Sequence, residues 1–270
     1  MMIRGKRSVA GTASRFAIIV SLLFGCAGEA GTDGPRPRKP PREEPRPIPG
    51  APLRVLFIGN SLTYSNDLPL IVEALAKAGR QNIYVDSVTF GGFSLDDHWS
   101  NGEAPNAISS EKWDVVVLQH GPSTLPASRV ELRNSAKKFD KIIRQAGARP
   151  ALYMVWPELE RSAFFDAVRE SYSLAASDVD GIFIPAGEAW RAAWRRDPKA
   201  PLYSNDDFHP SAAGSYAAAL SIYGMLFGRE LKGLPAFIEL SNGRFIRVQP
   251  ALAKLLQEAA TEANKTYGRR

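Results

Sequence analysis

Three residues that could together perform acyl transfer occur at two distant places in the sequence. Ser61 lies in FIGNSLTYSND (57–67), where an apolar run ends in small polar residues, and Asp206 and His209 are three apart in NDDFHPSAAG (205–214). A carboxylate at this spacing can fix the tautomer of an imidazole and stabilise the imidazolium that forms on proton uptake. A serine beside such a histidine is activated as a nucleophile. The pattern indicates a Ser-His-Asp site, and two ordinary helix starts are the simpler alternative.

Short apolar runs alternate with helical stretches from residue 53 onward. The runs cover 53–59, 83–90, 113–119, 150–156 and 181–186, and the helical stretches lie near 67–79, 128–146, 160–177, 186–196 and 211–228. Near-continuous apolar runs indicate strands that are buried on both faces, as in a parallel sheet. The alternation predicts an α/β fold, a three-layer α/β/α sandwich with a mainly parallel five-stranded sheet. Ligands bind outside the carboxyl ends of such strands, where Ser61 falls.

The two polar segments together resemble the SGNH (GDSL-like) hydrolase family, which has a flavodoxin-like fold. The first block of the family, G-[DN]-S-[LI], matches GNSL at residues 59–62, and the last block, D-x-x-H, matches Asp206 to His209. An early serine and a late D-x-x-H differ from the order in α/β-hydrolases. The resemblance spans roughly residues 53–228. It implies a serine esterase in which Ser61 is the nucleophile, His209 the base and Asp206 its orienting partner.

The middle blocks of the family supply the oxyanion hole, and here they match less closely. Gly92, in TFGGFSL, offers the backbone N–H of the second block, since a glycine allows close approach to a ligand. The third block lacks its usual asparagine and reads VVVLQHGPST, in which Gln119 carries the same amide donor and His120 is the competing candidate. The resemblance therefore implies three donors, namely the N–H groups of Ser61 and Gly92 and the Gln119 side chain.

Other polar residues are weaker candidates. Trp156 and Glu158 follow the fourth predicted strand, and with His120 we place them at the substrate rim, although tryptophans more often pack in cores. No phosphate-loop or dinucleotide fingerprint occurs, so we expect no cofactor. We also expect no metal, because the only acidic and histidine residues that suggest one match no standard ligand spacing: Asp96, Asp97, His98 and His120.

The first 25 residues resemble a bacterial lipoprotein signal peptide. A basic start precedes FAIIVSLLF (16–24), an apolar run too short for a bilayer, which needs roughly 20 residues. The run ends in LFGC, and Cys26 is the single cysteine. The lipobox resemblance implies cleavage before Cys26, acylation of its thiol, and a membrane anchor on the exported protein. Ala27, the residue after the cysteine, resembles a sorting signal for the outer membrane. The expected location is therefore the outer membrane or the periplasmic face, and ordinary secretion is the alternative.

The remainder of the chain divides into three parts. Residues 26–52 hold seven prolines between Pro35 and Pro49, which predicts a disordered, extended linker. The hydrolase domain is expected over 53–230. A C-terminal extension, 231–270, with one short strand near 244–248 and an amphipathic helix, is expected to pack on the same domain.

Charge argues against a nucleic-acid partner. The net charge is +6, but residues 1–50 hold nine Lys/Arg and four Asp/Glu, which leaves about +1 for residues 51–270. No basic patch stands out in that region. The expected ligand is a small-molecule or glycan ester, with O-acetylated carbohydrate as the preferred substrate. The alternative is a catalytically degenerate SGNH-like or flavodoxin-like module that binds a glycan or a phosphate.

Overall fold

Five parallel strands form the centre of the computed structural model, which describes residues 50–270. They are β1 (Leu53–Gly59), β2 (Ile83–Thr89), β3 (Val115–Leu118), β4 (Arg149–Tyr153) and β5 (Ile182–Ile184). The order across the sheet is β2-β1-β3-β4-β5, and every neighbouring pair is parallel. All residues of β3 and β5 are buried, as expected for strands covered on both faces.

Helices cover both faces of this sheet. They are α1 (Ser61–Tyr64), α2 (Leu68–Ala78), α3 (Leu95–Asn101), α4 (Glu103–Ser110), α5 (Pro126–Gln145), α6 (Phe165–Asp178), α7 (Ala186–Arg196), α8 (Ala212–Phe227) and α9 (Pro250–Tyr267). One packed group is α2, α7, α8 and α9, and the other is α3, α4, α5 and α6. The predicted three-layer α/β/α sandwich with a mainly parallel five-stranded sheet is confirmed.

The helices α3 and α4 are absent from the pattern read in the sequence. The start of α3 is fixed by a capping box in which the Ser94 side chain accepts from the Asp97 N–H and the Asp97 carboxylate accepts from the Ser94 N–H. This reciprocal pair satisfies two N–H groups that a helix start otherwise leaves without partners. The S-x-x-D spacing was therefore a usable signal for this helix.

The C-terminal region packs against the other elements. Strands β6 (Phe237–Glu239) and β7 (Phe245–Arg247) form an antiparallel hairpin that contacts α2 and α8, and α9 packs on α7 and α8. β7 and α9 lie where the sequence predicts a strand and a helix, whereas β6 was not predicted. The boundary near residue 230 stays a prediction.

Most of the N-terminal predictions concern residues 1–49. The signal peptide (1–25), Cys26 and nearly all of the linker (26–52) lie outside the described residues. Between residues 50 and 270, no helix combines the length and the apolar character that crossing a membrane requires.

The sheet order creates one natural crevice. The chain leaves β1 towards β2 on one side and returns to β3 on the other side of β1. Loops that leave neighbouring strands in opposite directions open a gap at their carboxyl ends, which is the usual ligand position in open α/β sheets. Ser61 follows β1 at this point, and Gln119 follows β3.

Candidate active site

His209 contacts both of its predicted partners. Its Nε2 lies 2.9 Å from Ser61 Oγ, and its Nδ1 lies 2.6 Å from Asp206 Oδ2. Ser61 is the first residue of α1, while His209 precedes α8 and is 148 positions away in sequence. Both distances are those of hydrogen bonds. The fold thus assembles a continuous serine-histidine-aspartate chain at the crevice.

Asp206 is held by four donors. Its Oδ1 accepts from Ser204 Oγ at 2.7 Å and from the N–H groups of Phe208 and His209, at 3.1 and 2.8 Å. The Ser204 bond, followed by the bond from His209, lowers the pKa of Asp206 well below its usual range. An ionised Asp206 can only accept, so Nδ1 of His209 carries the proton in that bond. Nε2 of the neutral ring is then the acceptor that faces the serine hydroxyl.

The loop that carries His209 is fixed from the β4 side. The indole N–H of Trp156 donates to the carbonyl of Phe208 at 3.0 Å, and the N–H of Leu159 donates to the carbonyl of Asp207 at 2.9 Å. Trp156 is fully buried and stacks on Trp190, with ring centroids 3.6 Å apart. The prediction that Trp156 borders the substrate is therefore wrong, because the residues after β4 continue into the core. Trp156 supports the histidine loop from within.

A second support, missed in the sequence, joins the serine segment to the histidine loop. The Asn66 amide donates to the carbonyl of Pro210 at 3.0 Å and to Ser215 Oγ at 2.9 Å. Asn66 and Asp67 both have left-handed backbones, with φ of 57° and 55°. Such conformations cost energy in residues other than glycine and persist only where the surroundings stabilise them. Asp67 is held by Arg244 at 2.6 Å, from the turn of the β6–β7 hairpin.

Gln119 is fully buried, and its amide is already in use. Its Oε1 accepts from the Asn60 N–H at 2.8 Å and from Thr63 Oγ1 at 2.7 Å, and its Nε2 donates to Asn60 Oδ1 at 3.0 Å and to the His120 carbonyl at 2.6 Å. The backbone N–H and C=O among these partners fix which end of the amide is oxygen. Both amide hydrogens have acceptors, so the geometry corrects the prediction that Gln119 donates to an oxyanion. Gln119 instead fixes the segment that carries Ser61.

Gly59 is required beside this amide. A Cβ built on Gly59 would lie 2.4 Å from both Gln119 Oε1 and Thr63 Oγ1. Real Cβ atoms do not approach side-chain atoms this closely, so any other residue would displace the Gln119 amide. The glycine of the GNSL motif thus has a steric explanation in this chain.

The turn that carries Gly92 lies against the end of β1. Phe90 N–H donates to the carbonyl of Gly59 at 3.2 Å, and the Asn60 side-chain amide donates to the carbonyl of Phe93 at 3.0 Å. Gly92 is exposed and has φ of 74°. Among residues 50–270, the N–H groups of Ser61 and Gly92 have no hydrogen-bond acceptor. Both are thus available as donors to a ligand.

His120 is buried and neutral. Its Nδ1 accepts from the Leu95 N–H at 3.2 Å, which places the ring proton on Nε2, 3.8 Å from Glu131 Oε1. Burial lowers the pKa of His120 to about 4. His120 and Glu158, both predicted at the substrate rim, line the same cavity, which has a volume of about 250 Å³. Both amide hydrogens of Gln119 have acceptors. The ring N–H of His120, by contrast, has no close acceptor in the described part of the chain.

The four residues considered for a metal have other partners. Asp96 pairs with Lys138, Asp97 closes the capping box of α3, and His98 Nε2 lies 2.8 Å from the carbonyl of Gly59. Within residues 50–270, no group of three or more His, Cys, Asp or Glu side chains could hold a metal ion.

No protein-family model and no curated protein matches the chain. Solved structures do match. A protein from Slackia heliotrinireducens, provisionally described as an SGNH hydrolase, is 26% identical, with a TM-score of 0.55 over 65% of this chain and 100% of its own. A DUF4886 family protein from Bacteroides uniformis is 20% identical, with a TM-score of 0.62 over 80% of this chain and 96% of its own.

An acetyl xylan esterase from Geobacillus stearothermophilus is also similar in fold. It is 15% identical, with a TM-score of 0.50 over 65% of this chain and 93% of its own. At such identities the likeness speaks for the architecture and not for the substrate. The chain has the α/β/α fold of the SGNH (GDSL-like) hydrolases.

Proposed function

We propose that the protein is a serine esterase that acts through an acyl-enzyme. Ser61 Oγ attacks the ester carbonyl as His209 Nε2 takes its proton, and His209 then protonates the leaving alcohol. Water, deprotonated by His209, releases the acid and frees Ser61. The observation that carries the proposal is the pair of hydrogen bonds joining Ser61, His209 and Asp206, at 2.9 and 2.6 Å.

Two backbone donors are assigned to the oxyanion. The N–H groups of Ser61 and Gly92 have no acceptor within the described residues and lie on adjoining segments at the end of β1. One such donor is typically worth ~3 kcal/mol in the transition state. The engagement of Gln119 removes the side-chain donor inferred from the family pattern.

The absence of a free Gln119 donor favours one alternative function, that of a non-catalytic binding domain. A degenerate SGNH-like domain that binds a glycan would keep the fold and would not need three oxyanion donors. A flavodoxin-like module that binds a phosphate would leave the hydrogen-bonded chain at His209 unexplained.

Hydrolysis of 4-nitrophenyl acetate separates these functions. We expect the full chain to hydrolyse it and Ser61→Ala to lose that activity. A fluorophosphonate should label the wild-type protein at Ser61 and leave Ser61→Ala unlabelled. An unlabelled and inactive wild-type protein would instead support the binding module.

We propose O-acetyl groups on carbohydrate as the substrate. The support is the fold shared with an acetyl xylan esterase, together with the export that the N-terminal sequence predicts. Acetate release from acetylated polysaccharides, compared with release from short-chain lipid esters, tests this choice.

Anchoring through Cys26 is a further part of the proposal. Its support is the LFGC sequence after a short apolar run, followed by the proline-rich linker. Intact-mass measurement of the mature protein should show a chain that begins at Cys26 and carries added lipid. A chain that begins there without lipid mass would mean ordinary secretion. Cys26→Ser should release an active enzyme or leave the precursor uncleaved.

A further inference from the structure

A small cavity at the carboxyl ends of β3 and β4 is not explained by the catalytic chain. Its volume is about 250 Å³, and it is lined by His120–Leu125, Ser128, Pro157, Glu158 and Arg161. We call it the β3–β4 cavity. It is smaller than the pockets that hold drug-sized ligands, which start near ~300 Å³. Its size therefore suits a single ring or a short chain.

The cavity adjoins the histidine loop on the side away from Gly92. Across the sheet, Gly92 follows β2, Ser61 follows β1, His120 follows β3 and Glu158 follows β4. The residue after Glu158, Leu159, donates to the carbonyl of Asp207, within the loop that carries His209. The leaving alcohol of an ester at Ser61 must lie beside His209, which protonates it, and therefore on the side of the site where this cavity lies.

Two opposite charges face the cavity without pairing. Arg161 donates from Nη2 to Thr124 Oγ1 at 2.8 Å, and its guanidinium lies 5.3 Å from the centre of the Phe164 ring. Within residues 50–270, neither Arg161 nor Glu158 forms an ion pair, although both are half-buried and line the same space. Arg161 keeps unused N–H donors, and Glu158 keeps both carboxylate oxygens.

The lining restricts the chemistry of an occupant. A long acyl chain would strip water from both charges and return no hydrogen bonds. A carboxylate-bearing ligand would face Glu158, and an ammonium would face Arg161. Hydroxyl groups both donate and accept, so a neutral polyol can satisfy the two side chains together. The ring N–H of His120 adds a further donor, and Pro122 and Pro157 supply apolar wall.

We propose that the β3–β4 cavity binds the alcohol part of the ester as one neutral sugar ring, with Glu158 accepting from its hydroxyls and Arg161 donating to them. This inference rests on the proposed esterase function, which sets the ester at Ser61. It deepens that function by naming the two side chains that select a hydroxyl-rich alcohol over a plain one.

The test compares two acetate esters. One is methyl β-D-xylopyranoside bearing a single acetyl group, and the other is 4-nitrophenyl acetate, whose alcohol has no hydroxyls to offer. In Glu158→Gln and in Arg161→Met, we expect the ratio of kcat/KM for the sugar ester to kcat/KM for 4-nitrophenyl acetate to fall about ten-fold or more. Glu160→Gln and Arg247→Met, whose side chains lie outside the cavity, serve as matched controls.

Other outcomes overturn the proposal. Equal losses on the two esters, or no loss on the sugar ester, would mean that the cavity does not select the alcohol. A change in the ratio of kcat/KM for 4-nitrophenyl octanoate to that for 4-nitrophenyl acetate in both cavity variants would mean that the cavity holds the acyl chain.

A binding measurement separates this proposal from the proposed function. Saturation-transfer NMR of methyl β-D-xylopyranoside with Ser61→Ala needs no turnover. Transfer to the pyranoside ring protons that disappears in Ser61→Ala/Glu158→Gln supports the cavity even if the wild type proves inactive on every ester. Absence of transfer overturns the cavity proposal even if 4-nitrophenyl acetate is hydrolysed.

Discussion

The side-chain amide of Asn66 is bonded to the carbonyl of Pro210, the residue that follows His209. This bond ties the segment that begins with Ser61 to the loop that ends with His209. The same amide also donates to Ser215 Oγ, on α8. A contact that neither residue makes therefore helps to fix the 2.9 Å distance between Ser61 Oγ and His209 Nε2.

Asn66→Asp is expected to loosen this tie. It replaces two N–H donors with an oxygen that faces the Pro210 carbonyl. Small misplacement of reacting groups can cost about 10²-fold, so we expect kcat for 4-nitrophenyl acetate to fall roughly 10- to 100-fold, with KM little changed. Asn66→Gly is the matched variant, because it keeps the left-handed backbone and removes only the amide. Full kcat in Asn66→Gly would show that the amide does not position the site.

The catalytic chain should behave as a unit. Ser61→Ala and His209→Ala are each expected to lower kcat by roughly 10⁴-fold or more, and the double variant should be scarcely slower than either single variant. Asp206→Asn should also lose activity, because the amide can present its N–H to Nδ1 and favour the wrong tautomer. Steady-state kinetics measures the loss of kcat, and urea unfolding checks that each variant remains stably folded. Multiplicative losses in the double variant would argue against a shared mechanism.

Gln119→Ala distinguishes a structural role from an oxyanion donor. Removing the amide leaves the Asn60 N–H buried without a hydrogen-bond partner, and such a loss costs ~1–3 kcal/mol. We expect a clear fall in the urea midpoint, with lower kcat as a secondary effect of a displaced Ser61. An unchanged midpoint combined with a selective loss of kcat would restore the oxyanion role of Gln119.

The burial of His120 predicts a pH-dependent stability. Its pKa is lowered from 6.5 to about 4 in the folded protein, so between these values the unfolded chain binds a proton that the folded chain does not. The free energy of unfolding should therefore fall as the pH drops from about 6.5 to about 4, by roughly 3 kcal/mol for this group. His120→Asn, which keeps an acceptor for Leu95, should flatten that part of the curve. An unchanged pH slope in urea unfolding would contradict this explanation.

The sequence predicted the sheet because each strand lies within a short run of mainly apolar residues that has turn residues on both sides. The helices within residues 90–112 were harder to predict, because the start of α3 depends on a local cap between Ser94 and Asp97 rather than on apolar periodicity. The two ends of the catalytic chain were predictable from the motif pair. The role of Gln119 was not predictable from the sequence. A glutamine can donate to an oxyanion or hold a neighbouring segment, and only the backbone groups around the amide distinguish these two roles.

The supporting roles of Asn66 and Trp156 were also not predictable, because each depends on a partner elsewhere in the chain. An asparagine in a turn is ordinary, and its partner Pro210 lies 144 residues away. A tryptophan after a strand can face the solvent or the core, and the direction depends on what packs opposite. Here Trp190 takes that position, from a helix later in the chain.

The contact between Gly59 and Gln119 also limits how this protein can diverge. A Cβ on residue 59 would stand 2.4 Å from both the Gln119 amide oxygen and the Thr63 hydroxyl oxygen, so a side chain at position 59 requires both of these groups to be displaced or replaced. Relatives that carry shorter residues at both position 63 and position 119 are free of this restriction. Positions 59, 63 and 119 should therefore covary among descendants of this chain, with the changes at 63 and 119 arising first.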